Sequence, residues 1–93
     1  MNRLNMSRYG TILTGRDFGK QVIKELGSTL EYPVELDFRG VISLGSSFGD
    51  EVVPVVAQQQ GNQLTVIGPN KAVWACLFQI AEECKIQITK KDQ

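Results

Sequence analysis

The stretch VELDFRGVISLGSSFGDE, residues 34–51, decides the fold, because a strand pattern passes into a helix pattern within it. Val34, Leu36 and Phe38 alternate with charged residues, which is the period of a strand with two different faces. A segment of small residues, 43–50, follows, and helical spacing begins at Phe48. Because strands that lead into helices build parallel sheets, residues 34–51 predict an α/β domain.

Local propensity opposes the helix that should follow this segment. Four valines between positions 52 and 56 are β-branched, and Pro54 lacks the N–H of an internal helical hydrogen bond. The spacing of Phe48, Val52 and Val56 nevertheless favours a helix, and Gly61 suits the residue just beyond its end. We therefore predict a helix from the serine pair to the glutamines before Gly61.

The same two periodicities recur on both sides of this stretch. Helical spacing runs over residues 18–30, with Thr14 as the predicted N-cap and Asp17 as its partner, and returns after Asn70, a good N-cap. Strand patterns occupy residues 7–13, 63–67 and 85–89. The order β-α-β-α-β-α-β predicts a small single-domain α/β fold, with a mostly parallel or mixed sheet of about four strands and three helices.

Polar residues at both ends set the predicted domain limits. Residues 1–5 are expected to be a flexible N-terminus, residues 6–90 a single domain and residues 91–93 a polar tail. No apolar run has the length of a signal peptide or of a membrane span, so we predict a protein of the cytoplasm without a membrane partner.

Composition excludes several classes of function. The 93 residues carry ten basic and ten acidic side chains, a formal net charge of zero, and no histidine. Neutral charge argues against nucleic-acid binding and against a DNA mimic, while it leaves association with a second copy open. Without histidine there is no Ser-His-Asp catalysis and no histidine metal site. We predict a non-enzymatic domain with no metal and no cofactor.

The two cysteines indicate a reducing compartment. Cys76 and Cys84 lie eight residues apart in one predicted helix, or about 12 Å along its axis, which is too far for a disulfide. Both are predicted to be buried small apolar residues.

Ser46 and Ser47 stand where a strand passes into a helix. Backbone amides and the positive end of a helix dipole meet at such a junction, so a hydroxyl there is a candidate binding or modification site. The simpler alternative is helix capping, with Ser47 and Asp50 as a capping-box-like pair. The two alternatives are compatible, and the preference of serine for N-cap positions favours capping.

Two further pairs of residues are candidates. Asp37 and Arg39 lie on the strand face opposite Val34, Leu36 and Phe38, where a structural ion pair is favoured over a ligand-binding role. Trp74 and Phe78 lie off the apolar stripe of the last helix, so they form either a protein-contact patch or an edge of the core.

The residues LDFRGV, 36–41, and SSFGDE, 46–51, resemble the STAS-like domains of unknown function. Those domains in turn resemble the STAS domains of anti-sigma-factor antagonists, and the helix start at Thr14 also suits the STAS-like family. The resemblance spans Thr14 to the end of the chain.

The resemblance implies a small α/β domain that binds other proteins and regulates them. In the antagonists a serine at the helix start is phosphorylated by a partner kinase of the histidine-kinase-like ATPase type, and by position this serine matches Ser47. Gly45 replaces the aspartate before the serine pair and Phe48 the glycine after it. The residues expected at the partner-binding or phosphorylation site are Ser46, Ser47, Phe48 and Asp50, flanked by Asp37 and Arg39.

Two other functions remain open. A small inhibitor, encoded by a phage or another mobile element and blocking a host complex, fits the same length and charge. A nucleotide-binding domain with its site at Ser46 and Ser47 is the second alternative, although the chain lacks the phosphate-binding lysine motif that such sites use.

Overall fold

Four parallel strands form the main sheet of the domain. The computed structural model describes residues 2–91, apart from the side chain of Ser28. The main sheet contains, side by side, β1 (Asn2–Asn5), β3 (Val34–Asp37), β5 (Gln63–Ile67) and β6 (Gln87–Lys91). A separate parallel ladder pairs β2 (Ile12–Leu13) with β4 (Ser43–Leu44).

Three helices cover one face of this sheet. They are α1 (Arg16–Leu26), α2 (Ser46–Gln58) and α3 (Lys71–Cys84). The main-sheet strands follow chain order across the sheet, so every crossover steps in the same direction. Because parallel crossovers are right-handed, all three helices lie on the same side. The predicted α/β fold with a four-stranded sheet and three helices is confirmed.

The core lies between the helices and this face of the sheet. Leu4, Leu36 and Val66 form one row across β1, β3 and β5, and all three are buried. Above them the rings of Phe18 and Phe48 join α1 to α2 with 5.2 Å between their centroids. Val34, Leu36 and Phe38, the alternating apolar residues of the quoted stretch, all lie in this core, as their alternation predicts.

The second face of the sheet carries ion pairs between side chains of the domain itself. Parallel sheets are usually covered by other elements on both faces. On this second face, however, one row of neighbouring residues across β3, β5 and β6 consists of Asp37, Ile67 and Lys91. Lys91 Nζ lies 2.7 Å from Glu35 Oε2, and Arg39 pairs with Asp37. Both carboxylates are buried and paired, so this face meets solvent without an isolated buried charge.

Close packing between the helices depends on two glycines. A Cβ at Gly19 of α1 would lie 2.8 Å from the Cβ of Glu51 and 3.0 Å from the carbonyl oxygen of Phe48 in α2. A Cβ at Gly49 of α2 would collide with Ile80 of α3. These contacts fix α2 between its two neighbours.

The N-terminal region differs from its prediction. Residues 2–5 are not a flexible end, because they form strand β1 beside β3, whereas Met1 lies outside the described residues. The strand predicted for residues 7–13 is instead a 3-10 turn, Met6–Tyr9, followed by the short β2. Met6 is fully buried, so the contribution of this segment to the core comes one residue before the predicted strand.

The C-terminal limit also moves. Lys91 belongs to β6 and not to a tail, and residues 92–93 lie outside the described residues. The main sheet therefore includes residues before the predicted limit 6 and after the predicted limit 90.

The helix predictions succeed in part. The helix over residues 46–58 contains Pro54, as predicted, and Asn70 caps α3 by accepting a hydrogen bond from Val73 N at 2.8 Å. The N-cap of α1 is Gly15 and not Thr14, and no side chain caps that helix.

Both cysteines are free thiols. Cys76 is half-buried, while Cys84 is exposed, contrary to the prediction that both are buried.

Candidate functional site

Two helices begin side by side at the end of the β2–β4 ladder. Gly45 N donates a hydrogen bond to Leu13 O at 2.9 Å, so the chain enters α2 directly beside the exit of β2. A Cβ at Gly45 would lie 3.1 Å from Thr14 Cγ2, which is why a glycine suits this close approach. We call the residues around this junction (Ile12, Thr14, Ile42, Ser46 and Ser47) the helix-start surface.

Neither serine caps α2. Gly45 is the N-cap residue, and no side chain accepts a hydrogen bond from the free amides of the first turn. The capping pair of Ser47 with Asp50 is therefore not formed. Ser46 and Asp50 are exposed and Ser47 is half-buried, and a binding or modification role for the hydroxyls stays a prediction.

Phe48 has a different role from its neighbours in the motif. Its side chain is 1% exposed and packs against Phe18. A side chain buried between α1 and α2 holds the start of α2 in place, and it offers no surface to a partner. The prediction that Phe48 belongs to the binding site is therefore corrected to a structural role.

Asp37 and Arg39 form an ion pair away from the helix-start surface. Arg39 Nε donates to both carboxylate oxygens of Asp37, at 3.0 and 3.1 Å, and Arg39 N donates to Oδ1 at 2.9 Å. Hydrogen bonding from Arg39 holds the pKa of the Asp37 carboxyl below its usual value, and the same bonds raise the pKa of Arg39. The side chain of Asp37 lies on the sheet face that the helices do not cover, so the structure does not bring this pair together with Ser46 and Ser47.

Two exposed isoleucines lie at the beginning of the β2–β4 ladder and were missed by the sequence reasoning. Ile12 is 60% exposed and Ile42 is 64% exposed. Ile42 N donates to Thr11 O at 2.7 Å, so the two isoleucines lie on neighbouring strands of the ladder. In the sequence they resemble their neighbours Leu13 and Leu44, which are buried, so only the structure separates exposed from buried residues here.

Charged side chains border the helix-start surface. Arg16, the first residue of α1, pairs with Glu51 at 3.1 Å between Nη1 and Oε2. Glu51 follows Ser47 by one helical turn, so the guanidinium lies within one turn of the Ser47 position. Arg16, at the start of α1, thus reaches α2 one turn beyond Ser47, and the positive end of the α2 dipole lies at the serines themselves.

Trp74 and Phe78 lie on α3, outside the helix-start surface. Their ring centroids are 5.9 Å apart, and Lys90 Nζ lies 5.3 Å from the centroid of the Trp74 ring. Trp74 is half-buried and Phe78 is 47% exposed. Trp74 thus lies at the edge of the core, which was one of the two predicted alternatives. Phe78 stays a candidate for a protein-contact patch.

Two cavities lie at the other end of the helices. One, of about 190 Å³, is lined by Pro33, Gln60 and Leu64 among others. The other, of about 340 Å³, lies between the ends of α1 and α2 and includes Leu26, Tyr32, Val55 and Val56 in its lining. Because α2 is about 20 Å long, neither cavity adjoins Ser46 or Ser47.

Other site types find no support in the part of the chain that the structure describes. Among residues 2–91, no three cysteine, aspartate or glutamate side chains are placed to share a metal ion. No helix within the same residues is long and apolar enough to cross a bilayer.

The fold and the surface define a small α/β domain whose helices cover one face of a parallel sheet and whose exposed hydroxyls lie at a helix start. A family model described as a STAS-like domain of unknown function matches residues 14–74. The chain belongs to that family. The match begins where α1 begins and ends at Trp74, and so does not reach the end of the chain as the resemblance had suggested. Neither a curated protein nor a solved structure matches the chain.

Proposed function

We propose that this STAS-like domain is a non-enzymatic protein-interaction module that binds a regulatory partner through the helix-start surface. The observation that carries this proposal is the exposure of Ile12 and Ile42 on the β2–β4 segment that leads into the starts of α1 and α2. Exposed apolar side chains with a polar border are the usual composition of a protein contact. The two hydroxyls at the start of α2 would lie within that contact.

Phosphorylation of Ser47 would regulate this contact. The N-terminus of α2 and the nearby Arg16 favour an added negative charge, whereas Asp50 and Glu51 oppose it. A phosphate on Ser47 would compete with Glu51 for Arg16 and would introduce a charge beside the apolar contact. Both effects favour release of the partner.

The resemblance suggests the class of partner. STAS domains of the anti-sigma-factor antagonists are regulated by histidine-kinase-like ATPases, and a related ATPase is the partner we propose, with both proteins in the cytoplasm. The alternative of a mobile-element inhibitor uses the same surface against a host complex. A neighbouring ATPase gene favours the first proposal, and a phage or plasmid gene cluster favours the second.

Affinity capture from the native cell tests the docking surface with matched variants. We expect the wild-type domain and Ser47→Ala to retain a partner that both Ile42→Ser and Ser47→Asp lose. Val55→Ser is the control, because Val55 is also exposed, at 38%, but lies near the far end of α2. Equal capture by wild type, Ile42→Ser and Ser47→Asp would contradict the proposal.

A second measurement separates this function from nucleotide binding. The heat of binding in isothermal titration calorimetry reports on nucleotides bound anywhere on the domain, including the start of α2. We expect no saturable change on addition of ATP or GTP at about 1 mM, a concentration that detects even weak binding. A saturable change that Ser47→Asp abolishes would replace the interaction module with a nucleotide site.

A further inference from the structure

A second stripe of exposed residues runs along α3. Lys71, Ala75, Phe78 and Glu82 follow one another at i, i+4, i+7 and i+11, which places them on one line along the helix. All four are exposed, with Phe78 at 47%. The α2-facing side of α3 is a different one, since Gly49 of α2 packs against Ile80. We call this line of four residues the α3 stripe.

The charges of the α3 stripe are reversed relative to the helix dipole. Lys71 is the first residue of α3, while Glu82 lies in its last turn. The first turn contains no acidic residue and the last turn no basic one, although Lys85 follows as the C-cap. Cations are favourable at helix C-termini and anions at N-termini, so both side chains lie at the less favourable end. Within residues 2–91, neither Lys71 nor Glu82 takes part in an ion pair.

An antiparallel copy of the same helix would satisfy all four residues. Lys71 and Glu82 are separated by eleven positions, about 16 Å along the axis, so each end of one stripe meets the opposite charge of the other. The same register places Phe78 against Ala75 of the second copy, and a large ring against a small side chain lets two helices approach closely. Each cation would then lie near the C-terminus of the opposing helix, where the dipole favours it.

The neighbouring sheet edge has the spacing that such a pair needs. Lys90 of β6 contacts Trp74 of α3, so the helix lies over the β5–β6 side of the sheet. Two copies joined edge to edge through antiparallel β6 strands would be about 4.8 Å apart at that edge. If each helix axis lies above the middle of its β5–β6 pair, the two axes are about 10 Å apart, within the usual packing distance of helices.

We propose that the α3 stripe and the β6 edge form a two-fold interface between two copies of this chain. The interface is separate from the helix-start surface, so the domain would present two partner-binding sites per dimer. The proposal rests on the reversed charges of Lys71 and Glu82, on the exposed Phe78 between them, and on β6, the edge strand of the sheet formed by residues 2–91.

Sedimentation equilibrium of the wild-type chain and three charge variants tests the proposal. We expect a monomer–dimer equilibrium in the wild type, and a dissociation constant raised about tenfold by Lys71→Glu or by Glu82→Lys. The double variant Lys71→Glu/Glu82→Lys should return to within about threefold of the wild type, because the exchanged charges again face opposite partners. Phe78→Ser should raise the dissociation constant by about a hundredfold.

Two controls separate loss of the interface from loss of the fold or of the helix-start surface. Lys71→Glu places an acid at the start of α3, so the melting temperature of the dilute monomer should not fall. Ile42→Ser should leave the dimer unchanged, which makes failure of this proposal distinguishable from failure of the proposed function. A wild type that stays monomeric up to about 1 mM, or a double variant that does not recover, overturns the proposal.

Discussion

The starts of α2 and α3 follow strands in the same molecule, yet they are held in opposite ways. Asn70 accepts a hydrogen bond from Val73 N and donates to the carbonyl oxygens of Val41 and Ile42, at 3.3 and 3.0 Å. The start of α2 has a glycine at the N-cap and no capping side chain. The buried ring of Phe48 holds the start of α2 against α1. The comparison indicates that a polar side chain stabilises the start of α3, whereas the serines at the start of α2 do not cap their helix.

The largest loss of stability is expected from a substitution of Phe48, the buried aromatic residue of α2. Phe48→Ala should lower the free energy of unfolding by about 3–5 kcal/mol, because it removes a buried aromatic side chain and leaves a cavity between α1 and α2. Chemical denaturation of the purified domain measures this difference. Ser46→Ala is the matched control in the same turn, and a comparable loss there would show that α2 is held by its polar residues after all.

The cap of α3 should have an intermediate effect. Asn70→Ala removes the cap of Val73 N and leaves two carbonyl groups without their partner, so we expect a loss of about 1–2 kcal/mol in the free energy of unfolding. The same denaturation experiment measures it. An Asn70→Asp variant retains the cap but cannot donate to the carbonyls, and it should lie between the wild type and Asn70→Ala.

Asp37, at the end of β3, also hydrogen-bonds to neighbouring groups, but unlike Asn70 it does so as a charged side chain. Asp37→Asn should cost about 1 kcal/mol at neutral pH, a modest value because the Arg39 side chain is 45% exposed. Since Arg39 holds the native pKa of Asp37 below its usual value, the stability from this carboxylate is complete above about pH 5 and is lost as the pH falls through the native pKa.

Denaturation at several pH values checks this difference. The stability gap between wild type and Asp37→Asn should shrink as the pH is lowered from about 5 to about 2, whereas the gap between wild type and Asn70→Ala should not follow the titration of a carboxyl. A gap between wild type and Asp37→Asn that is constant with pH would contradict the role assigned to the Asp37–Arg39 pair.

The smallest effect on stability is expected at Ser47. Ser47→Ala and Ser47→Asp should each change the free energy of unfolding by less than about 0.5 kcal/mol, because Ser47 caps nothing and the dipole and the nearby acids act in opposite directions on an added charge. Thermal denaturation compares both variants with the wild type. A loss of more than about 1 kcal/mol in Ser47→Ala would assign the hydroxyl to the fold and weaken its role in binding.

Periodicity and capping rules predict the elements that carry many apolar residues. The strand at Val34 and the helix that includes Pro54 are long enough for their patterns to outweigh local propensity. Strand β1 escaped prediction because Leu4 is its only buried residue, and its pairing with β3 is a tertiary effect that no local pattern records.

The candidate site was predictable in position but not in composition. The junction at Ser46 and Ser47 follows from the change of period. The exposure of Ile12 and Ile42 is a tertiary property that their apolar character in the sequence does not reveal. The sequence motif also does not distinguish the core role of Phe48 from the surface position of Ser46, because helix packing alone decides which of two neighbouring residues faces inward.

The order of the strands has a practical consequence for attaching this domain to a support. β1 and β6 form opposite edges of the main sheet and run in the same direction. The chain therefore enters at the end distant from Ser46 and leaves at the same end as Ser46. A tether joined before Asn2 would leave the helix-start surface facing outward, whereas a tether joined beyond Lys91 would crowd it.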